Sequence, residues 1–369
     1  MASPGPAAGG PAVVARSWCR VDLAGGTLDI WPLGLLHPGA VTVNLAVDLP
    51  VTCRVAAPPG GGSPRYRIEL GGRGEAETAS SETASSETAA FEAEHLAELL
   101  SDPATSLPAQ VLDVLAMPPV TLTLTSASPR GGGLGASSAL AVAMIAACET
   151  WLGGEAEGIS EASDPVATAA RRTALARDVE ARLMSLPTGI QDHWPGQLGG
   201  ALALAHRPGG TDVRRIDVDL EALGESLLVA YTGVSHFSAG QNWQVVRRRL
   251  DGEAEVIELF SGIARVAAEA EEALAAGDLP RLGALVGEEW SLRRQLAPGV
   301  SVPEVEAILD AATGAGAWGG KVCGAGGGGC IAVLAPNTSR AAVAEAVLAT
   351  GYELLPLRPA ATGLSVHYL

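Results

Sequence analysis

A glycine-rich segment that leads directly into an apolar helix could bind a polyphosphate. Residues 129–140 read Pro-Arg-Gly-Gly-Gly-Leu-Gly-Ala-Ser-Ser-Ala-Leu and continue into the apolar residues 141–148. Glycines let backbone N–H groups approach an anion closely, and the first N–H groups of a helix have no partner within the helix. The helix dipole adds to this attraction. The pattern predicts a phosphate-binding loop, in which Ser137 and Ser138 could reach a magnesium ion that bridges the phosphates.

The segment does not match the best-known phosphate-binding motifs. It lacks the Gly-Lys-Ser/Thr ending of a Walker loop and is not a Rossmann fingerprint. Taken alone, such a segment is more often an ordinary turn with a serine that caps the helix. Two further segments favour the phosphate-binding interpretation.

The second segment is a run of glycines close to the C-terminus. Five of the six residues 324–329 are glycine, and residues 319–330 lead into an apolar strand. Such a run would cost several kcal/mol in chain entropy if it only formed a turn. We therefore expect it to pass close to the phosphate loop or the substrate. Lys321 could reach a phosphate from this segment, or could be a lysine that meets the C-terminal dipole of a helix.

The third segment places two carboxylates where they could meet. Residues 189–193 read Gly-Ile-Gln-Asp-His, and Asp192 follows a Pro-Thr-Gly turn that could hold it in a cleft as a general base. Glu180 lies twelve residues upstream on a predicted helix. One carboxylate on a helix and one on the following loop can converge on a common site, although each acid alone is more often a solvated or capping group.

Composition limits the class of protein. The chain has 369 residues, of which 47% are hydrophobic, and its formal net charge is −17. This charge argues against a nucleic-acid or anionic-membrane binder, because phosphate backbones require clustered Lys and Arg. The five cysteines show no disulfide or metal spacing, which favours reduced, buried thiols. Without a signal-like or membrane-length apolar segment, we expect a soluble cytoplasmic protein.

The order of the predicted elements indicates an α+β fold, because strands and long helices mix without strict βαβ alternation. Three regions are predicted: a disordered leader over 1–15, an N-terminal domain over 16–208 and a C-terminal domain over 209–369. An acidic low-complexity insert over 75–90 repeats Glu-Thr-Ala-Ser-Ser and is expected to be a solvated loop that runs into a helix over 91–100.

Three segments together resemble the motifs of the GHMP small-molecule kinases. These are Arg20-Val21-Asp22-Leu23-Ala24-Gly25-Gly26-Thr27-Leu28-Asp29, residues 129–140 and residues 319–330. The resemblance implies an N-terminal domain like ribosomal protein S5 domain 2, a ferredoxin-like C-terminal domain and an active site in the cleft. It also implies ATP and Mg²⁺ as phosphoryl donor and metal ion.

The resemblance further implies a role for each matching residue. Asp192 would take or orient the proton of the attacking hydroxyl, and Arg20 would pair with it and steady the transferring charge. The expected metal ligands are Ser137 and Glu180. The expected nucleotide-binding residues are Pro129, Gly131, Gly132, Gly133, Leu134, Gly135, Ala136, Ser137 and Ser138. The expected substrate-binding residues are Gly26, Thr27, Asp29, Gln191, Lys321, Gly324, Gly326 and Gly327.

Within the superfamily the motifs are most similar to those of the D-glycero-D-manno-heptose 7-phosphate kinases, followed by the L-fucose kinases. The favoured reaction is phosphorylation of a sugar hydroxyl, expected to be the anomeric one, with heptose 7-phosphate as acceptor. Departures at Ala136, Thr27 and His193 surround the inferred site, so a neutral sugar such as L-fucose stays an alternative acceptor, with a polyol or isoprenoid alcohol third.

A non-catalytic nucleotide- or sugar-binding regulator is the alternative of another class. The oligomeric state stays open between a monomer and a homo-oligomer. Candidate ligands for a substrate phosphate are Arg171, Arg172, Arg247, Arg248 and Arg249.

Overall fold

A computed structural model describes residues 11–59, 65–71, 88–153, 164–233 and 239–369 of the chain. Residues 1–10 of the predicted leader and most of the predicted acidic insert lie outside the described residues. The first strand begins at Val13, so the prediction of a disordered leader is wrong for residues 13–15. These residues are ordered because they pair with strands on both sides.

The described residues contain strands and helices in mixed order. The strands are β1 (Val13–Ala24), β2 (Val41–Ala56), β3 (Tyr66–Leu70), β4 (Ala89–Ala93), β5 (Thr121–Ser126), β6 (Ala201–Arg207), β7 (Gly210–Ile216), β8 (Leu227–Tyr231), β9 (Gly319–Val322), β10 (Cys330–Leu334), β11 (Glu353–Leu354) and β12 (Ser365–Tyr368). The helices are α1 (Leu96–Leu100), α2 (Ser106–Val114), α3 (Ala136–Trp151), α4 (Pro165–Met184), α5 (His193–Leu198), α6 (Leu220–Ser226), α7 (Ala239–Leu250), α8 (Ala254–Ala275), α9 (Leu279–Arg293), α10 (Pro303–Gly314) and α11 (Arg340–Ala349), and a 3₁₀ helix covers Leu33–Leu36.

The strands form two sheets. The larger has the order β12-β1-β2-β5-β3-β4, with β6 pairing β2 and β7 pairing β6, and its pairs are antiparallel except for β3 with β5. The smaller has the order β11-β8-β10-β9 and is antiparallel. This arrangement fits an α+β fold. No helix of the described ranges is long and apolar enough to cross a membrane.

Two predictions about the course of the chain differ from the structure. The predicted helix over 91–100 is divided, because β4 pairs with β3 and only α1 is helical. The predicted domain boundary at 208/209 lies in the turn between β6 and β7, which pair as a hairpin in the larger sheet. A Pro-Gly-Gly sequence punctuates a hairpin as readily as it separates domains. The C-terminal strand β12 also returns to the larger sheet, next to β1.

Close packing in the core fixes the position of the start of α3. In α3 every residue from Ala141 to Cys148 is fully buried, and the helix packs on β1, β2 and α4. Its small side chains allow the helix to lie close to the sheet, so the start of α3 is fixed relative to the end of β1. The five cysteines are buried and none of them forms a disulfide, as predicted.

Candidate active site

The segment between β5 and α3 forms a loop that ends at an uncapped helix start. Gly135 precedes α3 with φ +71° and offers no side chain to the first-turn N–H groups. Gly133 also has a positive φ, and a Cβ placed there would lie 2.3 Å from the Cys323 carbonyl oxygen. Only glycine accommodates both the backbone conformation and this contact. The start of α3 therefore presents free N–H groups, which suit an anion.

The second glycine-rich segment packs directly on this loop. The Cys330 N–H donates to the Gly132 carbonyl at 2.8 Å, and a Cβ on Gly324 would lie 3.2 Å from backbone atoms of Gly133. The predicted close approach of the two glycine-rich segments is confirmed. It joins the start of α3 to the loop between β9 and β10.

Arg20 and Asp192 form an ion pair at the centre of the site. Arg20 Nε and Nη2 donate to Asp192 Oδ1 at 2.9 and 2.6 Å, and Nη1 donates to the Gly133 carbonyl. The Arg20 side chain is 2% exposed and that of Asp192 is 30% exposed. Because both bonds to the carboxylate end on Oδ1, no described group bonds Oδ2. The pair therefore holds one carboxylate oxygen ready for a ligand.

Asp29 is held by the loop that carries Asp192. The Ile190 and Gln191 N–H groups donate to Asp29 Oδ2 at 2.7 and 2.9 Å. The pKa of the Asp29 carboxyl is raised to about 6, with burial as the largest cause. The neighbouring carboxylate of Asp192 also raises this pKa, and the two backbone hydrogen bonds lower it. This carboxyl group therefore changes charge close to neutral pH.

Glu180 lies near the first turn of α3, but its partner there is not the predicted one. Ser138 Oγ donates to Glu180 Oε1 at 2.8 Å, whereas the Ser137 side chain is exposed. Glu180 Oε2 lies 3.1 Å from His193 Nε2. Burial lowers the pKa of His193, but the Glu180 carboxylate outweighs this and the net shift is upward. The structure thus pairs Glu180 with Ser138, because Ser138 occupies the helix face that meets α4, and the assignment of Ser137 and Glu180 as metal ligands stays a prediction.

The prediction that Lys321 reaches a phosphate is wrong. Its side chain is fully buried, and Nζ donates to Asp22 Oδ2 at 2.9 Å and lies 3.2 Å from Glu289 Oε2. Glu289 in turn binds Arg293, whose Nη1 donates to Thr27 Oγ1 at 2.9 Å and whose Nη2 donates to the Gly26 carbonyl at 2.7 Å. We call Asp22, Lys321, Glu289 and Arg293 the buried charge cluster.

Sequence reasoning missed this cluster, and a signal for it was present. Glu289 and Arg293 are spaced i, i+4 on a helix with apolar residues on both sides, which indicates a paired charge rather than a solvated face. The cluster fixes Thr27, a non-glycine residue with φ +71°. Its two acids and two bases balance, which lowers the cost of burying them.

Two neighbouring cavities meet at Asp192. The first, of about 360 Å³, is flanked by Thr27, Asp29 and Gln191, with Asn242 at α7. Its further lining residues are Arg20, Ile30, Gly131, Gly133, Ser138, Met184, Pro187, Thr188, Gly189, Asp192, Cys323, Gly324, Ala325, Gly326 and Gly328. The second, of about 560 Å³, is lined by every residue from Pro129 to Ser138, with Asp192, Tyr231, Gly71, Ser126 and Ser128. We call them the acceptor cavity and the nucleotide cavity.

The predicted site residues are largely brought together. All nine predicted nucleotide-binding residues line the nucleotide cavity. Of the predicted substrate-binding residues, Gly26, Gly327 and Lys321 do not line the acceptor cavity. Asn242 and Thr188 do line it and were not predicted, because a lone amide or hydroxyl on a helix or loop carries no motif.

Two family models match the chain. The N-terminal domain of the GHMP kinases matches residues 97–200, and the C-terminal region of the GHMP kinases matches residues 270–353. These matches include the start of α3 with Asp192, and the second glycine-rich segment.

Several characterised proteins are similar in sequence. The mevalonate kinase of Pyrococcus abyssi is 30% identical over 252 residues, which are 67% of this chain and 69% of that protein. For the mevalonate kinase of Thermococcus onnurineus the identity is 32%, over 63% of this chain, and the match spans 64% of that protein's length. L-fucokinase/L-fucose-1-P guanylyltransferase of Bacteroides fragilis is 28% identical over 88% of this chain and 35% of that protein.

A solved structure shares the fold. A D-glycero-D-manno-heptose 1-phosphate kinase from Bacteroides thetaiotaomicron superposes with a TM-score of 0.69 at 21% identity, over 97% of this chain and 99% of that one. The predicted two-part α+β fold is confirmed.

Proposed function

Because the chain belongs to the GHMP kinases, we propose that it transfers the γ-phosphoryl group of ATP to a hydroxyl group of a small sugar. The observation that carries this proposal is the position of Asp192, whose carboxylate lies in the wall of both cavities. A hydroxyl in the acceptor cavity and a phosphate on the uncapped start of α3 would therefore meet at this carboxylate.

The chemistry follows from the pair of Arg20 and Asp192. Asp192 Oδ2 accepts the proton of the acceptor hydroxyl while the hydroxyl oxygen bonds to the γ-phosphorus. The bond from that phosphorus to the oxygen shared with the β-phosphate breaks, and ADP leaves. Arg20 keeps Asp192 oriented and supplies positive charge beside the transferring group, which is the main form of catalysis in phosphoryl transfer.

The residues at the start of α3 suit a magnesium ion that arrives with ATP. Ser138 and Glu180 supply hard oxygen donors, the type that Mg²⁺ binds with help from substrate phosphates. No three His, Cys, Asp or Glu side chains of the described ranges form a metal site by themselves, in keeping with a metal held partly by the nucleotide. The bound ion would neutralise phosphate charge. We propose Ser138 and Glu180 as its protein ligands, in place of Ser137 and Glu180.

The acceptor is a sugar in this proposal. The motifs favour heptose 7-phosphate or L-fucose, and the B. fragilis relative, which matches 88% of this chain, is named an L-fucokinase. Asp29, Thr27 and Gln191 can bind hydroxyls, because a carboxylate accepts from two of them and an amide both donates and accepts. Only the heptose 7-phosphate carries a phosphate group, so the two candidate acceptors need different charges in the cavity wall.

The decisive test is Asp192→Asn, with Asp178→Asn as control. Asp178 lies on α4 with its side chain 67% exposed, so its variant makes the same chemical change outside the cavities. Purified protein with ATP and Mg²⁺ is assayed for ADP release against a panel of sugars and sugar phosphates. We expect Asp192→Asn to lose about 10²- to 10⁴-fold in kcat with ATP binding retained, and the control to keep full activity. If no acceptor supports ADP release while ATP still binds, the chain is a binding-only regulator.

A further inference from the structure

The wall of the acceptor cavity contains one positively charged side chain among the described residues, Arg20. That guanidinium already donates to Asp192 and to the Gly133 carbonyl. The remaining polar groups of the wall are the carboxylate of Asp29 and neutral amides and hydroxyls. Such groups match hydroxyls and offer no counter-charge to a second phosphate.

Two buried cations that contact the protein beneath this wall are not available either. Lys321 and Arg293 belong to the buried charge cluster, where each contacts the carboxylate of Glu289. Releasing either one toward the cavity would leave an unpaired carboxylate with no exposure to solvent, which costs several kcal/mol. Both cations are therefore structural: they pair with buried carboxylates of the protein and do not bind a ligand.

The arginines that the sequence offered for a substrate phosphate lie elsewhere. They bond to protein groups outside the cavity wall. Arg171 and Arg172 bond to Glu149, Arg247 lies 3.7 Å from Asp251, Arg248 bonds to Glu253 and the Leu296 carbonyl, and Arg249 bonds to His37 and the Leu36 carbonyl.

One further arginine, on α4, does not change this picture. Arg182 lies on α4 between Glu180 and Met184, which share one helix face toward the site. A residue two positions from each points to the opposite face, and Arg182 is exposed.

The charges that are present make the cavity unfavourable for an anion. The carboxylates of Asp192 and Asp22 both raise the pKa of Asp29, after burial as the largest cause. A phosphate monoester with a charge of about −1.5 to −2 at pH 7 would meet the carboxylate of Asp29, while the cations beside Asp192 and Asp22 are already paired with those two carboxylates.

We propose that the acceptor is an uncharged polyhydroxylated molecule, so that the site selects neutral sugars and rejects sugar phosphates and hydroxy acids. This inference rests on the proposed kinase function. It replaces heptose 7-phosphate, the acceptor favoured by the sequence motifs, with an unphosphorylated sugar. It also excludes an anionic alcohol such as mevalonate.

The test compares matched pairs that differ only in a phosphate group. The pairs are D-glycero-D-manno-heptose and its 7-phosphate, D-mannose and its 6-phosphate, and D-galactose and its 6-phosphate, with L-fucose and mevalonate as single compounds. We expect kcat/KM for the best neutral sugar to exceed that for its phosphate by on the order of 100-fold, which corresponds to about 2.7 kcal/mol. A phosphorylated member or mevalonate that reacts better than every neutral sugar overturns the proposal.

Binding separates this inference from the kinase function. If no compound is phosphorylated, the proposed function fails, and calorimetric titration of the same pairs still decides the charge class. Tighter binding of the neutral member supports the inference, and tighter binding of its phosphate overturns it.

A gain-of-charge variant tests the stated cause. Asn242→Arg places a guanidinium on the cavity wall, and Gln244→Arg adds the same charge to the opposite, exposed face of α7. We expect Asn242→Arg to reduce the preference for the neutral sugar about tenfold and Gln244→Arg to leave it unchanged. The same preference in both variants contradicts the argument from missing cations.

Discussion

The buried charge cluster predicts an unusual response to mutation. Arg293→Met removes one of two positive charges and leaves Lys321, 2.9 and 3.2 Å from the carboxylates of Asp22 and Glu289, to balance both. All three remaining side chains are fully buried. Because an uncompensated buried charge costs about 3–5 kcal/mol, we expect the free energy of unfolding to fall by that amount.

The double variant Glu289→Met with Arg293→Met should be more stable than the single one. It restores neutrality, since Asp22 and Lys321 remain as a pair, and methionine fills a similar volume. The remaining loss is the two hydrogen bonds that Arg293 gives to Thr27 and the Gly26 carbonyl, about 1–3 kcal/mol. Urea titration followed by tryptophan fluorescence measures both variants. A double variant as unstable as the single one, or less stable, refutes the argument from charge balance.

The pH dependence of the single variant adds a second check. In the intact cluster, burial raises the pKa of Glu289, but Arg293 and Lys321 outweigh it and hold this pKa below its ordinary value. Without Arg293, burial dominates and the pKa rises above the ordinary value. Ionised Glu289 then destabilises the folded state above its ordinary pKa, so the deficit should shrink as the pH falls from 7 toward 5. A deficit that grows over this range would contradict the assignment.

Three further predictions concern the site itself. The acceptor kcat/KM should fall as the pH drops through about 6, because Asp29 must be ionised to accept two hydroxyls. Asp29→Asn should abolish this acid limb in a pH–rate profile. An unchanged limb would show that another group titrates there. Gly135→Ala should lower kcat at least tenfold in a steady-state assay, since its Cβ would lie 3.2 Å from the Cβ of Asp192 at a backbone φ of +71°. His193→Ala should raise the Mg²⁺ concentration needed for half-maximal activity severalfold, whereas His193→Gln keeps a donor toward Glu180 and should stay close to the wild type; equal effects of both would exclude this positioning role.

The sequence could predict the phosphate loop because its function depends on the backbone. Left-handed conformations at Gly133 and Gly135, and the contact between Gly133 and Cys323, admit no side chain, so the glycines themselves record the geometry. The same holds for the second glycine-rich segment. A backbone conformation that only glycine can adopt fixes the residue type at that position, so it can be inferred from a single sequence.

Side-chain direction and burial could not be predicted in the same way. Ser137 and Ser138 are chemically identical neighbours, and only the packing of α3 against α4 decides that Ser138 meets Glu180. The sequence around Lys321 suggests a phosphate ligand, but in the fold its ammonium group contacts the carboxylates of Asp22 and Glu289. Such outcomes depend on residues far apart in the sequence, which local patterns do not report.

The buried charge cluster explains how the site can carry several carboxylates and still bind an ATP phosphate. Lys321 and Arg293 neutralise Asp22 and Glu289 within the protein, and Arg20 neutralises Asp192 at the boundary between the two cavities. The cations around the acceptor cavity are therefore already paired with protein carboxylates. The nucleotide cavity instead presents backbone N–H groups at the start of α3. On the proposed function, one cavity would bind the anionic donor and the other the acceptor hydroxyl. This division of charge would place the phosphoryl donor and a neutral acceptor in two cavities that meet at Asp192. An in-line transfer then needs the attacking hydroxyl oxygen and the leaving oxygen on opposite sides of the γ-phosphorus.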